Sequence, residues 1–249
     1  MISPSAKIGK NVMFGENVVI EGNVVIGDNV VIGHNVVIRK DTVIGEGSVI
    51  GDNTVLGKKP FKASASATTD EKELEPLVIG KYVTIGAGCV VYRGAVLHDF
   101  VFVGDLASIR EDVEIGEYTI IGRGVAVENK TKIGKYVKIE TNAYITAIST
   151  IEDYCFVAPN VTFTNDNFLG RTEERKKYFK GPTLKKGARI GANSTILPGV
   201  VIAEDTLVAA GSVVTKDTMP RKIYLGVPAK EFKDVPSEQL LENQVYYKG

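Results

Sequence analysis

Nucleophiles and general bases are scarce in this chain, and that narrows its chemistry before any fold is considered. There are two cysteines, Cys89 and Cys155, and two histidines, His34 and His98. Two thiols are too few for a disulfide scaffold, a thiolate zinc site or an iron–sulfur cluster. Any metal cage or mechanism that needs three histidines from one chain is excluded by counting. His34 lies in a bend, Gly33-His34-Asn35, and His98 takes the place of a bend glycine, so neither is a candidate base. What remains is the segment from Thr164 to Thr183, where Arg171, Arg175, Lys176, Lys177 and Lys180 outnumber Asp166, Glu173 and Glu174, with aromatic residues interspersed. Long structured loops on a rigid scaffold are more often functional than neutral.

Composition bounds the partners. The 249 residues carry 30 basic and 30 acidic side chains at a pI near 6.8, so no basic field exists to hold a nucleic-acid backbone. No apolar run approaches the roughly 20 residues of a bilayer span, and the start Met-Ile-Ser-Pro-Ser-Ala-Lys lacks the basic and apolar stretches of a signal peptide. The cytoplasm is the expected compartment.

The elements that position such residues are announced by a repeat of six. From Ile2 the steps Ile8, Phe14, Ile20, Ile26, Ile32, Ile38, Ile44, Ile50 and Leu56 are all apolar. The register resumes at Ile79 and runs to Phe163, then again from Leu184 to Val214. Six fits neither a helical turn nor a long alternating strand, but it fits a short strand plus a bend repeated around a prism. Each large residue then points to the axis. The position four residues later is small or β-branched, as in Val18, Ser48, Thr54, Cys89 and Cys155, which makes both cysteines small core hydrophobes. Gly, Asn and Asp crowd the bends, where the backbone visits positive φ. Parallel strands stacked in this way form a solenoid.

Assigning the hexads in rotation to three corners separates them. Two corners place glycine after the aliphatic residue in most coils. The third reads Ser3, Glu21, Arg39, Gly57, Tyr92, Arg110, Glu128, Thr146, Thr164, Leu197 and Thr215, with a single glycine. Two segments without apolar period, 57–77 and 164–183, also leave from that corner, provided neither adds a strand. Equivalent positions of a solenoid stack into ladders, so this edge presents polar side chains, and the working groove is expected along it with Tyr92, Arg93, Arg110, Glu111, Glu128, Asn129, Thr164 and Asn165 as lining.

The motif seen in Ile26-Gly27-Asp28-Asn29-Val30-Val31 resembles that of the hexapeptide-repeat family, over nearly all of residues 1–215. The resemblance implies an all-β, left-handed parallel β-helix of about ten coils, roughly 48 Å tall at 4.8 Å per coil. Two loops, 57–77 and 164–183, interrupt residues 1–215, and residues 216–249 form a C-terminal extension. It also implies acyl transfer from a CoA or carrier-protein thioester in grooves between the subunits of a homotrimer.

The stretch Phe156-Val157-Ala158-Pro159-Asn160-Val161-Thr162-Phe163-Thr164-Asn165, with Arg171, Glu174-Arg175-Lys176 and Leu184-Lys185-Lys186-Gly187-Ala188-Arg189-Ile190, looks like the subgroup that N-acetylates the 3-amino group of UDP- or dTDP-linked amino sugars. The segment Gly211-Ser212-Val213-Val214-Thr215-Lys216-Asp217, followed by Gly226-Val227-Pro228-Ala229-Lys230, is similar to the part that closes over CoA. By that resemblance Asn165 orients the amino sugar and the departing thiolate takes the proton. Asp166 is either a modest base or a hydrogen-bond partner of the amine; its ordinary pKa near 4 argues against strong proton abstraction. Thr164, Arg171, Arg175, Lys177, Tyr178, Arg110 and Glu128 are candidates for the nucleotide sugar. Lys216, Arg221, Lys230, Ala210 and Gly211 are candidates for acetyl-CoA, with no metal. Competing readings are transfer to a hydroxyl or of a longer acyl chain, and a non-catalytic β-helix subunit. A hexapeptide carbonic anhydrase is disfavoured, because residues 34 and 98 are not separated by a whole number of coils.

Overall fold

A computed structural model describes residues 1–64 and 72–245. The hexads fold as the repeat requires. Two-residue strands, β1 (Lys7–Ile8), β2 (Met13–Phe14) and β3 (Val19–Ile20), start three faces, and each later strand pairs in parallel with the one three before it, up to β30 (Val213–Val214). The second residue of each strand points inward. Ile20, Ile38, Leu56, Ile109, Ile145 and Phe163 are essentially inaccessible to solvent, and they form a continuous axial core.

The smaller inward site four residues on has a second use. Ser48 donates to the Gly80 carbonyl at 3.1 Å and accepts from the Val83 amide at 3.2 Å, and Thr54 does the same for Gly86 and Cys89. A short hydroxyl can therefore repair the corner backbone from inside the core, where an unpaired group would be costly. Cys89 and Cys155 occupy this position; burial raises both thiols, Cys155 to about 12, so neither is a nucleophile at neutral pH.

Both loops leave from one corner, as the hexad count predicts. The first follows β9 (Val55–Lys58) of the third face and returns in β10 (Val78–Ile79) of the first. The second follows β24 (Thr162–Phe163) and returns in β25 (Thr183–Leu184), holding a short 3-10 turn at Glu173–Lys177. Among the described residues neither adds a strand; residues 65–71 of the first loop, with Asp70, Glu71 and most of its Ala/Ser/Thr run, lie outside them. The polar corner is thus the edge between the third and first faces.

The height differs from the sequence expectation on one face. Two faces have ten strands, but the second has twelve, because β31 (Lys222–Leu225) pairs in parallel with β29 (Leu207–Val208) and turns back into β32 (Lys230–Asp234). The hexad period does not see these rungs, since a hairpin has no inward aliphatic every six residues. Within the prism the strand N–H groups alternate in direction: Val19 and Glu21 donate to Val36 and Ile38 of the C-terminal neighbour, while Ile20 between them donates back to Met1. The last donors are met by the extension: Val201 and Ala203 donate to Asp217 Oδ1 and Thr218 Oγ1, and Ala209 and Val213 to the carbonyls of Tyr224 and Gly226.

At the corner between the first and second faces, Tyr82, Phe100, Tyr118, Tyr136 and Tyr154 stack with ring centroids 4.7 to 5.3 Å apart. All five hold positive φ, between 54° and 61°, at bend positions that elsewhere carry Asn or Gly.

Candidate functional site

The polar edge is a chain of charge pairs fixed by the coil spacing. Tyr92 lies between two cations, Lys58 Nζ at 5.2 Å and Arg110 Cζ at 4.9 Å from its ring centre. Arg110 gives two hydrogen bonds to Glu111, of 2.8 and 3.0 Å, and Asn129 Nδ2 gives Glu111 a third at 3.1 Å. Glu111, with its side chain 4% exposed, is therefore a fully engaged buried carboxylate. Glu128, one coil on, has only Arg110 Nη1, at 3.6 Å, among the described residues. Burial pushes its carboxyl above the usual range, Arg110 draws it down and Glu111 pushes it up again.

The next two rungs carry Thr146-Ala147-Ile148 and Thr164-Asn165-Asp166 at equivalent places. Ile148 holds φ at 64°, a strained setting for a β-branched residue. Thr164 Oγ1 donates to the Ile196 carbonyl at 3.1 Å, which pins the start of the second loop to the coil above. The Asn165 carbonyl accepts from the Lys180 amide at 3.3 Å, so the loop is closed on the residue that opens it.

Asp166 holds that loop. Its carboxylate accepts from the amides of Phe168 (2.8 Å) and Gly170 (2.9 Å) and from Arg175 Nη1 (3.0 Å). Partial burial raises its pKa, but these donors outweigh it and leave the carboxyl below the usual range. Arg175 also lies 5.4 Å from the Phe179 ring. Tyr178 stacks on Phe168, with centroids 5.9 Å apart. Arg171 and Lys177 are exposed on the same loop.

Of the expected CoA residues, Lys216 follows β30 at the polar corner, two rungs beyond Asn165. Gly211, at φ 71°, has open space where a side chain would stand, beside Ala210. Arg221 pairs with Glu242 at 3.0 Å and Lys230 belongs to β32, so these two sit on the terminal cap. Neither histidine reaches the edge. His34 Nδ1 accepts the Glu16 amide at 2.9 Å, and His98 Nε2 lies 3.2 Å from Glu114 on the first face. A cavity of about 590 Å³ on that face is a mixed-charge trough, lined by Glu114, Lys132 and the Glu117–Lys135 pair, apart from the edge.

Sequence reasoning missed Tyr144. It points outward from β21 (Tyr144–Ile145), between Ala126 and Thr162, and lies beside Glu128 and Thr146. Its signal is one of size, a single large residue in an outward ladder of Ser108, Ala126 and Thr162.

The sequence pattern of the bacterial transferase hexapeptide family (six repeats) matches residues 5–40, 23–58, 94–129 and 181–216, together half of the chain. Galactoside O-acetyltransferase of Escherichia coli (strain K12) is 35% identical over 89 residues, covering 34% of this chain and 44% of that protein. The chain thus spans less than half the length of this curated relative. UDP-N-acetylglucosamine acyltransferase superposes with a TM-score of 0.51 at 20% identity, over 94% of this chain and 71% of that one, a likeness of fold. A mutant of AntD, an N-acyltransferase from Bacillus cereus in complex with dTDP and coenzyme A, superposes with a TM-score of 0.47 at 24% identity, over 56% of this chain and 86% of that one.

Proposed function

Because the chain belongs to the bacterial transferase hexapeptide family, we propose that it is a CoA-dependent acetyltransferase acting on the amino group, at position 3, of a UDP- or dTDP-linked sugar. The observation that carries this reading is the second loop. Asn165 stands where the loop leaves the coil, its neighbour Asp166 is engaged by two amides and Arg175, and the surrounding stretch resembles the amino-sugar subgroup.

Such chemistry asks for position more than for a strong base. A neutral amine attacks the thioester carbonyl, provided it is held close and the developing oxyanion finds donors. The Asn165 side chain supplies an amide N–H and a carbonyl for that purpose without the desolvation cost of a charge. Arg171 and Lys177 are the loop cations left for a sugar diphosphate, since Arg175 is held by Asp166. Lys216 serves the CoA phosphates from the C-terminal end of the same edge. The groove is completed by neighbouring copies in a homotrimer, in the cytoplasm.

Transfer to a hydroxyl is the second reading, supported by the name of the galactoside relative. It requires a base on the edge, and both histidines lie elsewhere. Incubating the purified protein and acetyl-CoA with UDP- and dTDP-linked amino sugars, and with their hydroxyl counterparts, decides between them. An alkali-stable amide is expected; a hydroxylamine-labile ester would replace the reading by O-acetylation.

A further inference from the structure

A notch interrupts the polar edge. Four successive coils place Arg110-Glu111, Glu128-Asn129, Thr146-Ala147 and Thr164-Asn165 at the same two positions. The third pair is short and buried, Thr146 at 3% and Ala147 at 2% exposure. From Glu128 to Asn165 is therefore a step of two coils, about 10 Å between backbones, with only small side chains on the coil between. Tyr144 flanks the notch from the third face, beside Thr146, Glu128 and Arg110.

The two carboxylates on the near side differ in what they accept. Glu111 takes three hydrogen bonds, from Arg110 and Asn129. Glu128 takes none among the described residues; its closest cation, Arg110 at 3.6 Å, is beyond hydrogen-bond length, and its side chain is only 26% exposed. A half-buried carboxylate that accepts no hydrogen bond from the described residues has its oxygens available to an N–H from a ligand.

We propose that the acceptor amine docks in this notch between Glu128 and Asn165, and that the Glu128 carboxylate takes the proton which an ammonium group must lose before it can attack. The inference rests on the amine reading above. The substrate arrives as R–NH3+ and one N–H proton passes to Glu128, giving R–NH2 and a neutral carboxylic acid. The nitrogen lone pair forms the N–C bond while the thioester C=O becomes an oxyanion. Collapse restores C=O and breaks C–S, the second proton of the nitrogen goes to the CoA thiolate, and Glu128 releases its proton to water. Among the described residues the groups facing Glu128 are Arg110, Glu111 and Tyr144; the raised carboxyl that burial and Glu111 produce suits a group that must hold a proton transiently.

The test uses the full chain with acetyl-CoA and the UDP- or dTDP-linked 3-amino sugar that the wild type acetylates best. Glu128→Gln keeps the shape and removes no hydrogen bond, so it should fold. Its kcat/KM should fall at least a hundredfold at pH 7. It should then climb about tenfold per pH unit up to the ionisation of the amine, where the wild type is level. A variant within threefold of wild type, with the same pH profile, would overturn the proton-acceptor role. Thr146→Leu fills the notch and should abolish acceptor turnover while leaving CoA affinity within threefold; retained turnover would overturn the docking site. If the wild type acetylates none of the amino sugars while still binding CoA, the amine reading falls and takes this inference with it.

Discussion

Asp166 shows how one residue can be read correctly in type and still left open in role. Its position beside Asn165 is plain in the sequence, but its partners are not, because Phe168, Gly170 and Arg175 belong to a segment without any apolar period. With three donors around it, the carboxylate is held ionised and fully occupied. Its folded pKa is depressed, so the stability it gives the loop is present above the ordinary carboxylate range and is lost only as pH falls through the lower folded value. Asp166→Asn should lower kcat/KM for the amino sugar by loosening the loop, leave CoA affinity unchanged, and keep the acidic limb of the pH profile where it is. A profile that loses this limb would make Asp166 the base. Asn165→Ala should reduce kcat ten- to a thousandfold, the range for loss of one positioning or oxyanion contact, with the melting temperature and CoA affinity intact. The state of Glu128 was beyond sequence reasoning for a similar reason: whether a carboxylate is engaged depends on side-chain geometry across coils eighteen residues apart.

At the scale of elements, the six-residue period specified which residue of each strand faces the axis, and the glycine-poor corner identified the edge from which both loops leave. It could not announce the aromatic ladder, because that order has a period of eighteen and occupies bend positions otherwise filled by Asn. Tyr82 to Tyr154 accept a backbone setting that costs an L-residue about 1 kcal/mol or more, and stacking is what offsets it. Tyr118 has ring neighbours on both sides, Phe100 at 4.7 Å and Tyr136 at 5.0 Å. Tyr118→Ala keeps the positive φ and loses both contacts, so it should destabilise the chain by about 1–3 kcal/mol, at 0.5–1.5 kcal/mol per aromatic pair. Tyr118→Gly loses the same contacts but relaxes the backbone, and should recover about 1 kcal/mol of that loss. Denaturant midpoints of the two variants give the difference; equal values would show that the bend is unstrained.

For the whole molecule, the strands of each face run parallel and in register, and the prism therefore has two ends at which the stacking could continue. Its first coil is open, and Ile8 and Phe14, at places that are buried in later coils, are 38% exposed. Its last coil would turn out strand N–H groups, were they not met by Asp217, Thr218, Tyr224 and Gly226. The last coil of one copy can meet the first coil of another as parallel strands, with matching register and no closure, which is the geometry of an open filament. The C-terminal extension then acts as a stopper on growth. Truncation after residue 215 should convert a particle of fixed size, three times 26.9 kDa in light scattering for the intact chain, into concentration-dependent fibres with a 4.8 Å spacing. Persistence of the same discrete particle would show that the open end is harmless. On this view, the polymerising tendency inherent in every coil is held in check by the 34 residues after 215, which carry no hexad.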